Sequence, residues 1–246
     1  MPYSRPPITE AVVEFRTVNQ IDQGTIERLG RKLSSVYPNS NTETLTEFEV
    51  NANENKAKVK PPEWLGLKLT SSDQADILTL RKDICGCIRL APYIGWEAFS
   101  AKVKDAWSVW RKETGPLPLS RIGVRYVNRI DVPAASGLIQ VEDYLNLWPR
   151  SPDRFKLPMT SYAIQVSRPF GADNCNLLIS SSNVASPLIG YVSFALDIDL
   201  SVEASADNPI PLRENDLWDL IGRMRDHKNS VFEACITDQA RGLFNT

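Results

Sequence analysis

The sequence predicts an α+β fold of two pseudo-repeats, each in the order β-α-β-β-β-α, forming a twisted antiparallel sheet with helices packed on one face. Three observations predict this fold. Short segments alternate apolar and polar residues, as half-buried strands do. Two long helical segments carry a single apolar stripe that needs a sheet to bury it. The same order of elements occurs twice along the 246 residues.

The first pseudo-repeat is predicted for residues 1–115 and starts with a strand at 10–17. This strand places Ala11, Val13 and Phe15 on one face and charged residues on the other. The polar stretch NANENKAKVKPPE is interpreted as a long connection or a weak edge hairpin. The other predicted elements are a helix at 24–38, strands at about 43–50, 64–70 and 75–82, and a long helix at 95–113.

The second pseudo-repeat is predicted for residues 116–246 and follows the same order. Residue identity between the two halves is negligible, so the prediction depends on element order alone. A short final helix is expected after Thr237, which has the side chain of a helix N-cap. The other predicted elements are strands at 121–132, 161–168, 174–181 and 190–202, a short helix at 141–148 and a long helix at 213–235.

The composition is that of a soluble globular protein, with 42% hydrophobic and 24% charged residues. No apolar run is long enough to span a membrane, and no secretory signal is visible, so we expect a cytoplasmic protein. Four cysteines without a dense framework are expected to stay reduced. A net charge of −2 gives no overall basic field that would attract nucleic acid.

Four segments of the chain are similar to a known group of proteins. They are PPITEAVVEF at 6–15, YIGWEAF at 93–99, RIGVRYVNRIDVP at 121–133 and HKNSVFEACITDQARGLF at 227–244. Together they resemble a family of uncharacterised, sporadically distributed prokaryotic proteins of about this length. The family has no established activity, so the resemblance implies no catalytic residue. A sporadic distribution implies accessory genes, such as those of defence or toxin–antitoxin loci.

His227 is the only histidine in the chain, and it lies near the end of the last long helix. Its neighbours three and four residues away on the helix are not carboxylates, so none of them can orient the imidazole ring. We interpret His227 as a structural residue and leave open a catalytic role through distant partners. No catalytic residue is predicted.

Two further groups of residues are weighed as metal ligands. Cys85 and Cys87 are closer together than zinc sites require, and no second pair of ligands accompanies them. Asp197 and Asp199 share one strand face, where they are either cation ligands or the solvated side of the strand. We predict no metal site and no cofactor, because glycine-rich phosphate loops and nucleophile motifs are also absent from the sequence.

The strongest candidate for binding is a row of arginines in the strand at 121–132. Strand alternation places Arg121, Arg125 and Arg129 on one face, with about 13 Å between successive members. These three residues are called the arginine row. Such a row suits phosphates or an acidic peptide. Alternatively, Glu10 and Glu14 of the first strand neutralise it through cross-strand ion pairs.

The sequence therefore favours a non-enzymatic binding or assembly protein that presents a sheet face to a protein partner. Nucleic-acid or nucleotide binding through the arginine row is the alternative. A third class is an enzyme of unrecognised chemistry. Salt dependence separates the first two, because phosphate-driven binding weakens steeply as salt concentration rises.

Overall fold

The computed structural model describes residues 3–46, 48–51, 56–134, 139–150, 152, 160–171 and 173–245, with the backbone alone at 48–51 and 56–59. The described residues form eleven strands, four α-helices and one short 3-10 helix. The strands are β1 (Ile8–Thr17), β2 (Asn39–Leu45), β3 (Phe48–Asn51), β4 (Lys56–Val59), β5 (Glu63–Thr70), β6 (Asp76–Arg81), β7 (Ile84–Leu90), β8 (Leu119–Pro133), β9 (Ala163–Phe170), β10 (Cys175–Val184) and β11 (Tyr191–Glu203). The α-helices are α1 (Gln23–Lys32), α2 (Trp96–Thr114), α3 (Glu214–Cys235) and α4 (Asp238–Leu243).

Nine of the strands form one antiparallel sheet in the order β2-β5-β6-β7-β1-β8-β11-β10-β9. The strands β3 and β4 pair with each other in a small second sheet. The predicted α+β fold with an antiparallel sheet is therefore confirmed. The predicted strand at 43–50 is divided in two, because β2 ends at Leu45 and residues 48–51 belong to β3.

The chain divides into two compact units. Unit 1 comprises residues 1–13, 90–93 and 121–246, and unit 2 comprises residues 14–89 and 94–120. The predicted division at residue 115 refers to two sequence repeats, and it stays a prediction.

Aromatic packing on helix α2 forms the core of unit 2. Trp107 and Trp110 stack with 4.9 Å between their ring centroids, and Phe15 of β1 lies 4.2 Å from the Trp107 ring. The helix α1 is capped by Asp22, whose carboxylate accepts a hydrogen bond of 2.9 Å from the backbone N–H of Thr25. Both long helices at 95–113 and 213–235 are confirmed, as α2 and α3.

In unit 1, helix α3 packs against β11 and over the buried face of β8. The buried face of β8 carries apolar side chains such as Ile122 and Val124, which are fully buried. As predicted, Thr237 caps the following helix α4, because its hydroxyl oxygen accepts a hydrogen bond from the N–H of Ala240. The opposite face of β8 carries the arginine row, so helix packing leaves that face available.

Strand β7 was missed by the sequence analysis. Its burial does not alternate, since Cys85, Gly86 and Cys87 are buried one after another. A strand that is buried on both faces lacks the period of two that identifies half-buried strands. The Cys-Gly-Cys segment, whose cysteines were weighed as metal ligands, is thus the middle of a buried strand.

The predicted short helix at 141–148 is wrong, because only a 3-10 helix at Val141–Asp143 forms there. Leu145 instead makes a β-bridge with Ile236, at the junction between α3 and α4. The side chain of Asn146 donates to the carbonyl oxygens of Ala234 and Ile236 at 3.0 and 2.9 Å. These tertiary contacts take the place of helical hydrogen bonds, which propensity alone does not reveal.

Candidate functional site: the arginine row of unit 1

The arginine row lies on the polar face of β8, as the alternation predicts. The exposed fractions of the side chains are 19% for Arg121, 45% for Arg125 and 38% for Arg129. Tyr126 and Asn128, on the other face of the strand, are almost completely buried. The side chains of Arg125 and Arg129 are therefore accessible and that of Arg121 is largely covered, while the strand that carries them is fixed by its buried side.

Each arginine of the row donates hydrogen bonds to an aspartate. Arg125 binds Asp197 with both ends of its fork, at 2.9 Å from Nε to Oδ1 and 2.6 Å from Nη2 to Oδ2. Arg121 reaches Asp199 at 3.2 Å from Nη2 to Oδ2. Both aspartates belong to β11, which is the antiparallel neighbour of β8. The pair that was weighed as a cation site thus accepts hydrogen bonds from guanidinium groups.

Arg129 is paired within its own strand. Its Nε and Nη2 donate to the two carboxylate oxygens of Asp131 at 3.0 and 3.1 Å. The hydroxyl of Ser193 donates to the same carboxylate at 2.5 Å. Asp131 is thereby fixed from two directions, and it holds the Arg129 guanidinium in one orientation.

Glu10 and Glu14 were named from the sequence as partners of the row, and these aspartates were not proposed as its partners. Glu14 accepts a hydrogen bond from Arg16 at 2.8 Å. Glu10 acts on the row at longer range, where its charge is one of the influences that raise the pKa of Arg125. The main cause of that rise is the hydrogen bonding with Asp197. The row is part of an ion-pair network that includes Asp131, Asp197 and Asp199.

A groove of about 280 Å³ lies at the Arg129 end of the row. It brings together residues that are far apart in the sequence. Its lining includes Arg5, Pro6, Pro7, Arg129, Asp131 and Phe244. Residues from 6–15, 121–133 and 227–244 contribute to this lining. Sequence analysis found Arg129 but had no signal that would place Arg5 and Phe244 beside it.

His227 does have a carboxylate partner, which comes from outside its own helix. Its Nε2 lies 3.0 Å from Oδ2 of Asp173, in the turn between β9 and β10. Arg223 donates from Nε to the other oxygen of Asp173 at 2.9 Å. Burial alone would raise the pKa of Asp173, but the hydrogen bonds from His227 and Arg223 outweigh it and lower that pKa. The three residues tie this turn to α3.

Lys228 is the residue of unusual chemistry that sequence analysis missed. It is 5% exposed, and its Nζ lies 3.7 Å from the centroid of the Tyr126 ring. The Tyr126 hydroxyl is 3.1 Å from that of Tyr93. Burial, and to a smaller extent the charge of Arg225, lowers the pKa of Lys228 to about 7. The sequence could have identified Lys228 as a buried lysine, because it lies on the apolar stripe of α3, four residues after Met224.

The four cysteines are buried free thiols. Burial raises the pKa of Cys175 and of Cys235 to about 11. The pKa of Cys85 is raised first by its hydrogen bond with Cys87 and then by burial. All three are therefore protonated at neutral pH and poor nucleophiles. Among the described residues, no three His, Cys, Asp or Glu side chains are grouped as metal ligands would be.

No protein-family model matches this chain, and no curated protein sequence matches it. Within the part of the chain that the structure describes, no helix is both long enough and apolar enough to cross a membrane.

Proposed function

We propose that this protein is a non-enzymatic binding protein that docks a protein partner on the arginine row and the adjoining aspartates of β11. The observation that carries the proposal is the pairing of all three arginines with carboxylates on an accessible strand face. Arginine is enriched at protein interfaces, where its remaining donors bind carbonyl and carboxylate oxygens of the partner. Because the ion pairs already hold the side chains, little rotamer entropy is lost on docking.

The same pairing argues against the nucleic-acid alternative. Three guanidinium charges face three carboxylates, Asp131, Asp197 and Asp199, so the row adds no net positive charge. Affinity for a phosphate backbone comes mainly from the release of counterions by unneutralised cations. A polyanion would have to displace the aspartates and then be repelled by them. A protein partner with mixed polar groups meets no such repulsion.

We also propose that the chain contains an internal duplication. The order of strands supports it, because β1 is followed across the sheet by β7, β6 and β5, while β8 is followed by β11, β10 and β9. In both series the last strand of a meander lies next to the first strand, and a long helix comes after the meander. The two series differ in that the first has an additional strand, β2, and the second has a 3-10 helix at Val141–Asp143 where the first has α1. Failure of residues 8–111 to superpose on 120–237 would contradict the duplication.

A reducing compartment such as the cytoplasm is part of the proposal. Its support is that Cys85 and Cys87 are both free thiols although they lie two residues apart, and that Cys175 and Cys235 are free as well.

The docking proposal is tested with matched arginine variants. Arg125→Ala removes the most exposed member of the row. Arg81→Ala serves as the control, because Arg81 is 39% exposed and paired with Glu43 but lies in unit 2. Tagged proteins are used for capture from cells that carry the gene, with nuclease treatment, followed by binding measurements with the purified partner. We expect Arg125→Ala to weaken partner binding about tenfold and Arg81→Ala to leave it unchanged.

Oligonucleotide titrations complete this test. We expect no binding of single- or double-stranded DNA or RNA at low salt. If oligonucleotides bind, and if this binding weakens steeply with salt and is lost in Arg125→Ala, the nucleic-acid alternative replaces the proposal.

A further inference from the structure

The groove at the Arg129 end of the arginine row has the features of a small ligand site. Its lining includes two arginines, Arg5 and Arg129, and it has a volume of about 280 Å³. The segment that carries Arg5 is held in place, since its backbone N–H donates to the carbonyl oxygen of Phe244 at 2.9 Å. A concave site with a few fixed polar groups among apolar walls is the usual form of a ligand pocket.

The two arginines differ in what they have to offer a ligand. Arg129 uses two of its five N–H groups on Asp131, so its other donors remain. The side chain of Arg5 is exposed, and no described residue provides it with an acceptor. With Asp131 as the single carboxylate, the lining carries one net positive charge. The groove is therefore suited to a ligand with one negative charge.

The chemistry of the lining favours a carboxylate over a phosphate. A planar carboxylate matches the fork of a guanidinium group, as the pairing of Arg129 with Asp131 already illustrates. A phosphate with close to two charges would be repelled by Asp131 without enough cations to compensate for it. The lining also includes Pro6, Ile8 and Leu243, which offer apolar surface beside the arginines. An apolar group attached to the carboxylate would cover that surface.

We propose that this groove binds a carboxylate carried by an apolar group, such as the C-terminal residue of a protein partner or a free branched-chain acid. The inference deepens the proposed function, because it names the part of a partner that would enter unit 1 next to the arginine row. The inference rests on the proposed function only where it names a protein partner as the source of the carboxylate. Its test uses isolated short acids and gives a result whether or not a protein partner is found.

The probes are N-acetyl-alanyl-leucine with a free carboxylate, the same dipeptide as its C-terminal amide, 4-methylpentanoate and inorganic phosphate. Each is titrated into the full chain by calorimetry or by NMR. We expect the dipeptide acid to bind with a Kd of about 0.1–1 mM, which is ordinary for a ligand of this size. The amide should bind at least about tenfold more weakly, because it lacks the charge that the arginines recognise.

Three variants localise the binding. Arg5→Gln removes the exposed guanidinium with little risk to folding, and it should weaken binding of the dipeptide acid about tenfold. Arg129→Lys keeps the charge but loses the fork, so it should weaken binding as well. Arg31→Gln is the matched control, because Arg31 is an exposed arginine on α1 in unit 2. It should leave the affinity unchanged.

Each outcome of the titrations has one meaning. Binding of the dipeptide acid but not of 4-methylpentanoate identifies a chain terminus as the source of the carboxylate, and equal binding identifies a free acid. Equal binding of acid and amide overturns the proposal, as does tighter binding of phosphate or no binding up to about 10 mM. Capture of a partner that depends on Arg125, together with failure of every short acid, would leave the docking function standing and refute the groove alone.

Discussion

Two buried cations, one in each unit, are accommodated in different ways. Arg89 in unit 2 and Lys228 in unit 1 are both 5% exposed. The Nη1 of Arg89 lies 3.2 Å from a carboxylate oxygen of Asp76, which Lys102 also contacts. Lys228 faces the ring of Tyr126, and no ion pair between Lys228 and a described carboxylate is formed.

The difference follows from the proton chemistry of the two side chains. A guanidinium group does not deprotonate in a protein, so its burial requires an opposite charge. An amine can lose its proton, and burial lowers the pKa of Lys228 to about 7 for that reason. The aromatic ring then stabilises whatever fraction stays charged. Burial of an unpaired cation is therefore tolerated only for the lysine, and it makes unit 1 sensitive to pH.

The largest expected effect is the loss of the carboxylate beside Arg89. Asp76→Asn keeps the size of the side chain but removes its charge, and we expect the free energy of unfolding to fall by about 3–5 kcal/mol. Chemical denaturation measures it. Asp73→Asn is the control, because Asp73 is 63% exposed and 3.9 Å from the same guanidinium. It should cost about 1 kcal/mol or less. Equal losses in the two variants would mean that burial does not decide the strength of these pairs.

Replacement of Lys228 should raise the free energy of unfolding instead of lowering it. The pKa in the folded protein is about 7, against about 10.4 in an unfolded chain, so the unfolded chain binds more protons between these values. Stability of the protein should therefore rise with pH across this window. Lys228→Met removes the cost of burying the charge, and we expect it to stabilise the protein by about 2–3 kcal/mol at pH 7, after allowance for the contact with Tyr126.

The check on Lys228→Met is a series of denaturation curves from pH 6 to about 10.5, where the advantage of the variant should disappear. Lys112→Met is the matched control, since Lys112 is an exposed lysine on α2. Its stability should follow that of the original protein at every pH. If Lys228→Met is less stable than the original protein at pH 7, the amine has a favourable role that outweighs its burial.

A smaller effect is expected where the ion pair is half exposed. Arg129 and Asp131 have side chains that are 38% and 22% exposed. Arg129→Ala should lower the free energy of unfolding by about 1 kcal/mol or less. An increase in stability would indicate instead that the arginines repel one another in the free protein, as expected for a row that binds an anionic ligand. The same denaturation assay distinguishes the two results.

The smallest effect is expected for His227, whose side chain is 29% exposed and bonded to Asp173. His227→Gln keeps a hydrogen-bond donor near Asp173, so we expect a change of about 0.5 kcal/mol or less at pH 7. Any activity found for the protein should stay largely intact in this variant. A loss of turnover of about 100-fold in a folded variant would assign His227 a catalytic role through Asp173.

The elements that the sequence predicted well are those with one exposed face. The alternation in β8 and the stripes of α2 and α3 arise because such elements divide their side chains between core and solvent. Strand β7 was not predicted because both of its faces are buried. The helix predicted at 141–148 failed because the backbone there is engaged by the junction of α3 and α4. Local periodicity carries no information about such distant partners.

The candidate site was predicted in part for the same reason. Alternation placed Arg121, Arg125 and Arg129 on one face, but it does not tell which strand lies beside them. Carboxylates were expected from β1, and nothing in the sequence indicated that Asp199 and Asp197 of β11 lie within hydrogen-bond distance of Arg121 and Arg125. Lys228 could have been noticed as a charged residue on an apolar stripe. The groove could not have been predicted, because it depends on a contact between residues near opposite ends of the sequence.

The hydrogen bond between the N–H of Arg5 and the carbonyl oxygen of Phe244 also has a consequence during protein synthesis. Ribosomes add about 5–20 residues per second, so Phe244 is made roughly ten to fifty seconds after Arg5. For all that time the segment around Arg5 lacks the surface against which it is held. Strand β1, which lies between β7 and β8, must likewise wait for both neighbours. Such distant contacts slow folding, and surfaces that wait for their partners are prone to aggregation until helix α4 has been made.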